Sequence, residues 1–257
     1  MNWKRILSPL YLCYQLLVWM PIVVVSTIIF FSMMIMMGTF ADKDWWGYHC
    51  SVLWGKCIVY SSLLRVNVEY NTTLEDKQQY IIISNHQSAF DIFLMSAFLK
   101  HYRRWMMKRS LEKIPFFGLG CKQCGFVFVD KGNMADVRET YRMAREVLCD
   151  GCSLIIFPEG TRTTSGKVAE FSRTAFSLAD EFQLPIIPVS INGTFEALPK
   201  GSYFLRWHPL KMIFHNPVYP EGKGGVNVKK IKNMCIKTIL KGLDCHYKTV
   251  SDCLSVA

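Results

Sequence analysis

His86 and Asp91 are the two side chains whose types and spacing best suit proton transfer. They fall in the run Asn85-His86-Gln87-Ser88-Ala89-Phe90-Asp91, directly after Tyr80-Ile81-Ile82-Ile83. The isoleucine run is short and β-branched, which predicts a buried strand. A histidine just past a strand end, with a carboxylate five residues later at a helix start, makes a candidate general-base pair. One ring nitrogen takes a proton from a hydroxyl. The carboxylate fixes the tautomer at the other nitrogen and stabilises the imidazolium as it forms. The same spacing, taken alone, also fits a loop histidine beside an N-capping aspartate.

A second group of residues offers a place for an anion. Ser153-Leu154-Ile155-Ile156-Phe157 reads as another buried strand and runs into Pro158-Glu159-Gly160-Thr161-Arg162-Thr163. A Pro-Glu-Gly turn at a strand end presents backbone N–H groups, and Arg162 adds a bidentate fork. Together they suit a phosphate or a carboxylate. A local ion pair between Glu159 and Arg162 is the plainer account of the two charges. The segment is not a nucleotide P-loop. Five residues separate Gly160 from Gly166 where that motif needs four, and Val168 stands where a Ser or Thr would hold magnesium. Two C-x-x-C pairs, Cys121/Cys124 and Cys149/Cys152, are 24 residues apart, wider than the zinc-ribbon spacing of about 15–20.

The elements that must position these residues belong to a chain that is both apolar and basic. Of its 257 residues 51% are hydrophobic, and the net charge is +10. The length suits one sizeable core, or one domain with an appendage. Apolar and basic character together point to an anionic membrane surface, an anionic substrate, or both. No zinc-finger, homeodomain or RNA-recognition signature is present, so nucleic acid is not an expected partner. The ten cysteines lie in apolar and helical stretches, the pattern of reduced thiols in a cytosol-facing chain rather than of a disulfide scaffold.

Residues 6–41 carry no charge. That stretch exceeds the apolar region of a signal peptide, about 7–15 residues, and the roughly 20 residues of one span. It reads as a retained anchor, kinked or broken near Pro21. Residues 45–64 are aromatic and apolar but include His49 and Lys56, which suits an interface or a shallow insertion. Lys4 and Arg5 favour a cytoplasmic N-terminus. A re-entrant two-helix anchor over residues 1–64 would keep residues 65–257 on the cytoplasmic side. The basic-aromatic run 100–109 reads as a second headgroup contact or as a solvated loop.

After Leu64 the pattern alternates. Strands are predicted over 65–70, 80–84, 125–129, 153–157, 186–190 and 211–214, and helices over 89–99, 134–148 and 171–181. A Lys-rich helix falls within the last thirty residues. The expected class is α/β, a central mixed sheet flanked by helices and preceded by the apolar N-terminal anchor.

These motifs, in this order, resemble the 1-acylglycerol-3-phosphate acyltransferases of the glycerolipid acyltransferase superfamily. Asn85-His86 and Asp91 match the first family block, an HX4D motif, and Phe157-Pro158-Glu159-Gly160-Thr161-Arg162 matches the third, about seventy residues on. Residues 125–131 look like the second block and 184–189 like the fourth. Lys108, Leu111 and Ile114-Pro115-Phe116-Phe117-Gly118 match the stretch between the first two. The resemblance spans roughly residues 80–200.

It implies acyl transfer from a thioester of coenzyme A or acyl carrier protein to the sn-2 hydroxyl of lysophosphatidate, without a resident cofactor or metal. Residues 65–257 would then be the catalytic domain. His86 would be the base and Asp91 its orienting partner. Lys108, Lys131, Glu159, Gly160, Thr161 and Arg162 would bind the acceptor and its phosphate. Phe116, Phe117, Phe126 and Phe128 are candidates for an acyl groove or, alternatively, for ordinary core. The chain departs from the family at Lys131, usually Arg, and at Arg109-Ser110 before Leu111, where an acidic residue is more common. Both departures bear on acceptor choice rather than on the dyad.

Three other readings compete. One is the same reaction on another lysophospholipid or a lyso-aminolipid. Another is a membrane hydrolase using Ser84 or Ser88 with His86, although no G-x-S-x-G elbow is present. The third is a non-catalytic lipid-binding protein, which has no need of a base.

Overall fold

The computed structural model describes residues 3–129, 134–149, 152–222 and 224–248. Its centre is a seven-stranded mixed sheet in the order β1-β7-β6-β2-β5-β3-β4. In chain order the strands are β1 (Val66–Tyr70), β2 (Ile81–Ser84), β3 (Arg103–Lys108), β4 (Val127–Val129), β5 (Ser153–Ile156), β6 (Ile186–Asn192) and β7 (Leu210–Phe214). Only β6 and β7 run antiparallel; the other neighbours are parallel. Strands β2, β5 and β6 are buried throughout, as expected for parallel strands covered on both faces. Their side chains alternate between two cores. Ile82 joins one cluster while Ile81 and Ile83 join the other. Each such side chain contributes about 2 kcal/mol on burial.

The helices are α1 (Trp3–Tyr14), α2 (Met20–Phe40), α3 (Lys43–Ser61), α4 (Phe90–Phe98), α5 (Phe117–Gln123), α6 (Met134–Cys149), α7 (Thr174–Phe182), α8 (Thr194–Ala197) and α9 (Gly225–Gly242). One face of the sheet is covered by α2, α3, α4 and α5, the other by α6, α7 and α9. Helices α1 and α2 are continuous through a π-helical turn, Gln15–Trp19, in which Met20 N–H bonds the Gln15 carbonyl. Pro21 follows at once. It has no N–H to donate, and its ring crowds the carbonyl four residues back. The wider turn absorbs that conflict, so of the kink and the break expected there the helix has no break. Residues Pro9–Phe40 form one helix long and apolar enough to cross a membrane.

Helix α3 lies against this first helix. Tyr11 and Tyr14 hydroxyls donate to the carbonyls of Ser62 and Ser61 (both 2.7 Å), and Trp54 Nε1 donates to Thr27 Oγ1 (3.1 Å). Its other side meets α4 at Gly55. A Cβ there would lie 2.7 Å from Ala97 N and 2.8 Å from the Phe93 carbonyl oxygen. The absence of a side chain is what lets the two backbones approach.

The run 100–109 is neither a headgroup contact nor a solvated loop. Most of it is β3, paired with β5 on one side and β4 on the other. Arg103 and Arg104 are both buried. Arg103 donates to the carbonyls of Ser96 (2.6 Å), Leu99 (3.1 Å) and His101 (3.2 Å), so it closes the C-terminal end of α4. Burial lowers its guanidinium to about 10, which leaves it charged at neutral pH. Arg104 pairs with Asp44 at the start of α3.

Candidate active site

Strands β2 and β5 are parallel neighbours, with Ile83 beside Ile156. Their C-terminal ends therefore open at the same edge, and the two motifs that follow them meet although seventy residues separate them. The edge continues through β3, which ends at Lys108.

His86 leaves the end of β2, and Asp91 stands in the first turn of α4. His86 Nδ1 lies 2.9 Å from Asp91 Oδ2. The same oxygen accepts the N–H groups of Gln87 (2.7 Å) and Ser88 (2.8 Å), a helix-start arrangement that orients the carboxylate. A carboxylate acceptor places the proton on Nδ1 and leaves Nε2 to receive one. Asp91 is fully buried, while the His86 side chain retains 12% exposure. The ring lies flat on Phe157, with centroids 4.0 Å apart and planes at 10°.

The backbone of His86 is held from the β5 loop in both directions. Its N–H donates to Glu159 Oε1 (2.7 Å), and its carbonyl accepts Thr163 N–H (3.1 Å). Glu159 Oε2 accepts Ala169 N–H (2.8 Å). Burial pushes the Glu159 carboxyl up to about 7, and Asp91 adds to the effect against those two backbone bonds. Gly160 turns with φ +71°, a left-handed conformation that favours glycine. Asn85 ties the segment to β6 through Ile191 N–H and C=O (2.9 and 2.8 Å).

A cavity of about 1050 Å³ opens beside the dyad. His86 and Phe157 stand in its wall. Phe31 and Met34 of α2, Trp54 of α3, and Phe117 and Cys121 of α5 line an apolar part, while Lys108, Thr161, Ser172 and Arg173 supply polar and basic lining. Of the four phenylalanines considered for a groove, Phe117 and Phe126 line the cavity. Phe128 is core and Phe116 is exposed.

The remaining sequence-predicted residues are distributed unevenly. Lys108, Gly160 and Thr161 reach the cavity. Glu159 directs its carboxylate to backbone N–H groups, which makes it a brace for His86. Arg162 is half-buried and lies beside the lining rather than in it. Among the described residues no carboxylate pairs with it, so the alternative of a local Glu159–Arg162 ion pair is not formed. Lys131 lies outside the described residues.

Arg173, Thr140, Tyr141 and Trp105 line the cavity and carry no motif that marks them. Arg173 falls inside the helix predicted over 171–181, whereas α7 begins one residue after it, so no sequence signal sets it apart. Ser84 and Ser88 do not line the cavity. Ser88 Oγ donates to the Leu198 carbonyl (2.7 Å) and accepts Phe90 N–H (3.0 Å), so neither serine is placed as a nucleophile. Cys121 and Cys124 lie in the core on one face of the sheet and Cys152 in that on the other. Among the described residues no three His, Cys, Asp or Glu side chains gather as a metal site would require.

Residues 65–192 match the family model described as Acyltransferase. A 1-acyl-sn-glycerol-3-phosphate acyltransferase of Helicobacter pylori is 31% identical over 165 residues, covering 63% of this chain and 69% of that protein. The chloroplastic 1-acyl-sn-glycerol-3-phosphate acyltransferase LPAT1 of Arabidopsis thaliana is 27% identical over 169 residues, 65% of this chain and 47% of that protein. The chain thus spans about half of that plant relative's length, and 40% of a Brassica napus one. The crystal structure of the Thermotoga maritima 1-acyl-sn-glycerophosphate acyltransferase PlsC has the same fold. It superposes with a TM-score of 0.75 at 24% identity, covering 93% of this chain and 95% of that one.

Proposed function

This chain belongs to the 1-acyl-sn-glycerol-3-phosphate acyltransferase family, and on that premise we propose that it moves a fatty acyl group from an acyl thioester to the sn-2 hydroxyl of 1-acylglycerol-3-phosphate, giving phosphatidic acid. The observation that carries the reading is a partly buried, carboxylate-oriented His86 in the wall of a cavity that is apolar in one part and basic in another. His86 Nε2 takes the hydroxyl proton as the acceptor oxygen forms its bond to the thioester carbonyl. The C–S bond then breaks, and the leaving thiolate receives that proton from Nε2. Asp91 stabilises the intervening imidazolium. No covalent acyl-enzyme is needed, which fits the placement of Ser84 and Ser88.

Lys108 and Arg173 give the basic lining its charge, and Arg162 stands next to it. These three cations, with Thr161, hold the acceptor phosphate or steady the thioester oxyanion. The apolar lining takes the acyl chain. The donor carrier is coenzyme A or acyl carrier protein, and no resident cofactor enters the scheme. A bilayer-resident acceptor accounts for the apolar first helix, and the enzyme works at a membrane with its catalytic part on the cytoplasmic side.

The test is an assay of purified membranes offering lysophosphatidate and other lysolipids in parallel, with labelled acyl-CoA and acyl carrier protein as donors. Preferential labelling of phosphatidate is the expected result. Equal or better labelling of another lysolipid would replace the acceptor and keep the reaction. Release of free fatty acid without acceptor would replace the reaction.

A further inference from the structure

Residues 199–208, between α8 and β7, expose three aromatic side chains to water: Tyr203 (79%), Trp207 (60%) and Phe204 (41%). Folding gives no reason for Tyr203 and Phe204, since Leu205 alone fills the core position of this segment. Lys200 and Arg206 are also exposed, and the segment contains no acidic residue.

The loop is fastened to the first helix. Leu205 N–H donates to Gln15 Oε1 (2.6 Å), its carbonyl accepts Gln15 Nε2 (2.9 Å), and Trp207 meets Tyr11 edge-on at 5.6 Å. The same stretch of helix exposes Leu10, Leu12, Leu16 and Leu17, so the loop is fastened to a helix whose outer side is apolar. On its inner side Lys200 Nζ reaches the Arg162 carbonyl (3.4 Å), and Leu198, the residue just before the loop, accepts the Ser88 hydroxyl.

Tyrosine and tryptophan, apolar in body and polar at the tip, concentrate at the level of lipid headgroups, a neighbouring phenylalanine adds apolar area, and arginines beside them meet lipid phosphates. The geometry points to residues 199–208 as an interfacial docking loop, a second contact with a bilayer containing anionic lipid. Tyr203, Phe204 and Trp207 enter the headgroup region, and Arg206 faces its phosphates. The inference rests on the membrane association proposed above and deepens it, because the contact sits directly behind the acceptor loop.

The experiment uses the full chain with its reactive cysteines replaced by serine and one new cysteine, Tyr203→Cys, carrying an environment-sensitive fluorophore. A control carries the label at Lys230→Cys, on an exposed side chain of α9. The proteins are bound to phosphatidylcholine–phosphatidylglycerol vesicles, with and without brominated acyl chains. The label at 203 should be quenched by brominated lipid and shielded from aqueous iodide, and the label at 230 should show neither effect. A label at 203 as open to iodide as the one at 230 on vesicle-bound protein overturns the proposal, as does failure to bind vesicles.

A kinetic arm uses Arg206→Glu. Its apparent KM should rise several-fold for acceptor held in anionic vesicles and stay unchanged for a short-chain acceptor free in solution. An equal rise for both would place Arg206 in the acceptor site and overturn docking. The fluorescence arm needs no catalysis, so a failure of the proposed reaction is seen separately.

Discussion

His86 is held at three points: Asp91 on its ring, Phe157 under its face, and the β5 loop on its peptide group. Removing the ring in His86→Ala should lower transfer by about 10³-fold or more while expression and membrane association persist. A variant with near-normal kcat would sink the mechanism. Asp91→Asn keeps an oxygen for Nδ1–H and the two backbone N–H groups but loses the charge that stabilises imidazolium. Its kcat should fall by roughly 10²–10⁴. Glu159 makes a different prediction, read in stability against pH. Its carboxyl rises from 4.5 to about 7 in the folded chain, so between those values the folded state binds more protons than the unfolded one. Stability from this group is therefore present at low pH and is lost as pH rises through about 7. Glu159→Gln removes that dependence. Unfolding at about pH 5 and about pH 8 should show the gap between the two proteins changing by on the order of 3 kcal/mol, with wild type favoured at the lower pH. A constant gap would refute the assignment. The dyad was legible in the sequence because both partners lie within six residues. The inward turn of Glu159 was not, because it depends on β2 and β5 being neighbours.

At the scale of elements, α4 carries Asp91 at one end and is closed by Arg103 at the other. Arg103→Met leaves three buried carbonyls unpaired and should cost about 3 kcal/mol, measured as a drop in denaturation midpoint. Helix α4 is also set by its crossing with α3. Gly55→Ala puts a methyl group within 2.8 Å of α4 backbone atoms, which cannot move aside as a flexible side chain would. It should destabilise by about 1–3 kcal/mol and reduce activity by tilting Asp91. Unchanged stability would mean the helices separate freely. Six of the seven strands were legible as short β-branched runs, with ends displaced by a residue or two. Strand β3 was not, since Lys100-His101-Tyr102-Arg103-Arg104 scores as polar. Its arginines become buriable only when the end of α4 and Asp44 supply partners, and those contacts are tertiary. The π turn just before Pro21 was hidden for a related reason, because it is a backbone adjustment and leaves no compositional mark.

At the scale of the whole molecule, the cavity joins layers that the sequence describes separately. Residues 6–41 read as an anchor, yet Phe31 and Met34 from that stretch line the same space as His86. Met34 is 1% exposed and Phe31 3%, so their inner faces are core as well as wall. The first helix therefore has two characters by face: an outer one that is exposed and apolar and an inner one that lines the cavity beside His86. This arrangement was not readable from hydropathy, which averages the faces. It follows from Thr27 and Trp54 binding the helix to α3, and from Gly120 leaving room for the Phe31 ring, 2.9 Å from where a Cβ would lie. If the apolar lining holds the acyl chain, filling it should shorten the chain the enzyme accepts. Met34→Trp adds bulk there without touching the dyad or the basic lining. Its kcat/KM should fall at least about tenfold for long-chain donors relative to short-chain ones, since each methylene excluded from such a pocket is worth 1–3 kcal/mol. Donors differing only in chain length, assayed side by side, provide the measurement. A uniform loss across all lengths would instead assign this wall to stability, and the acyl chain would then have to leave along the outer surface of the helix.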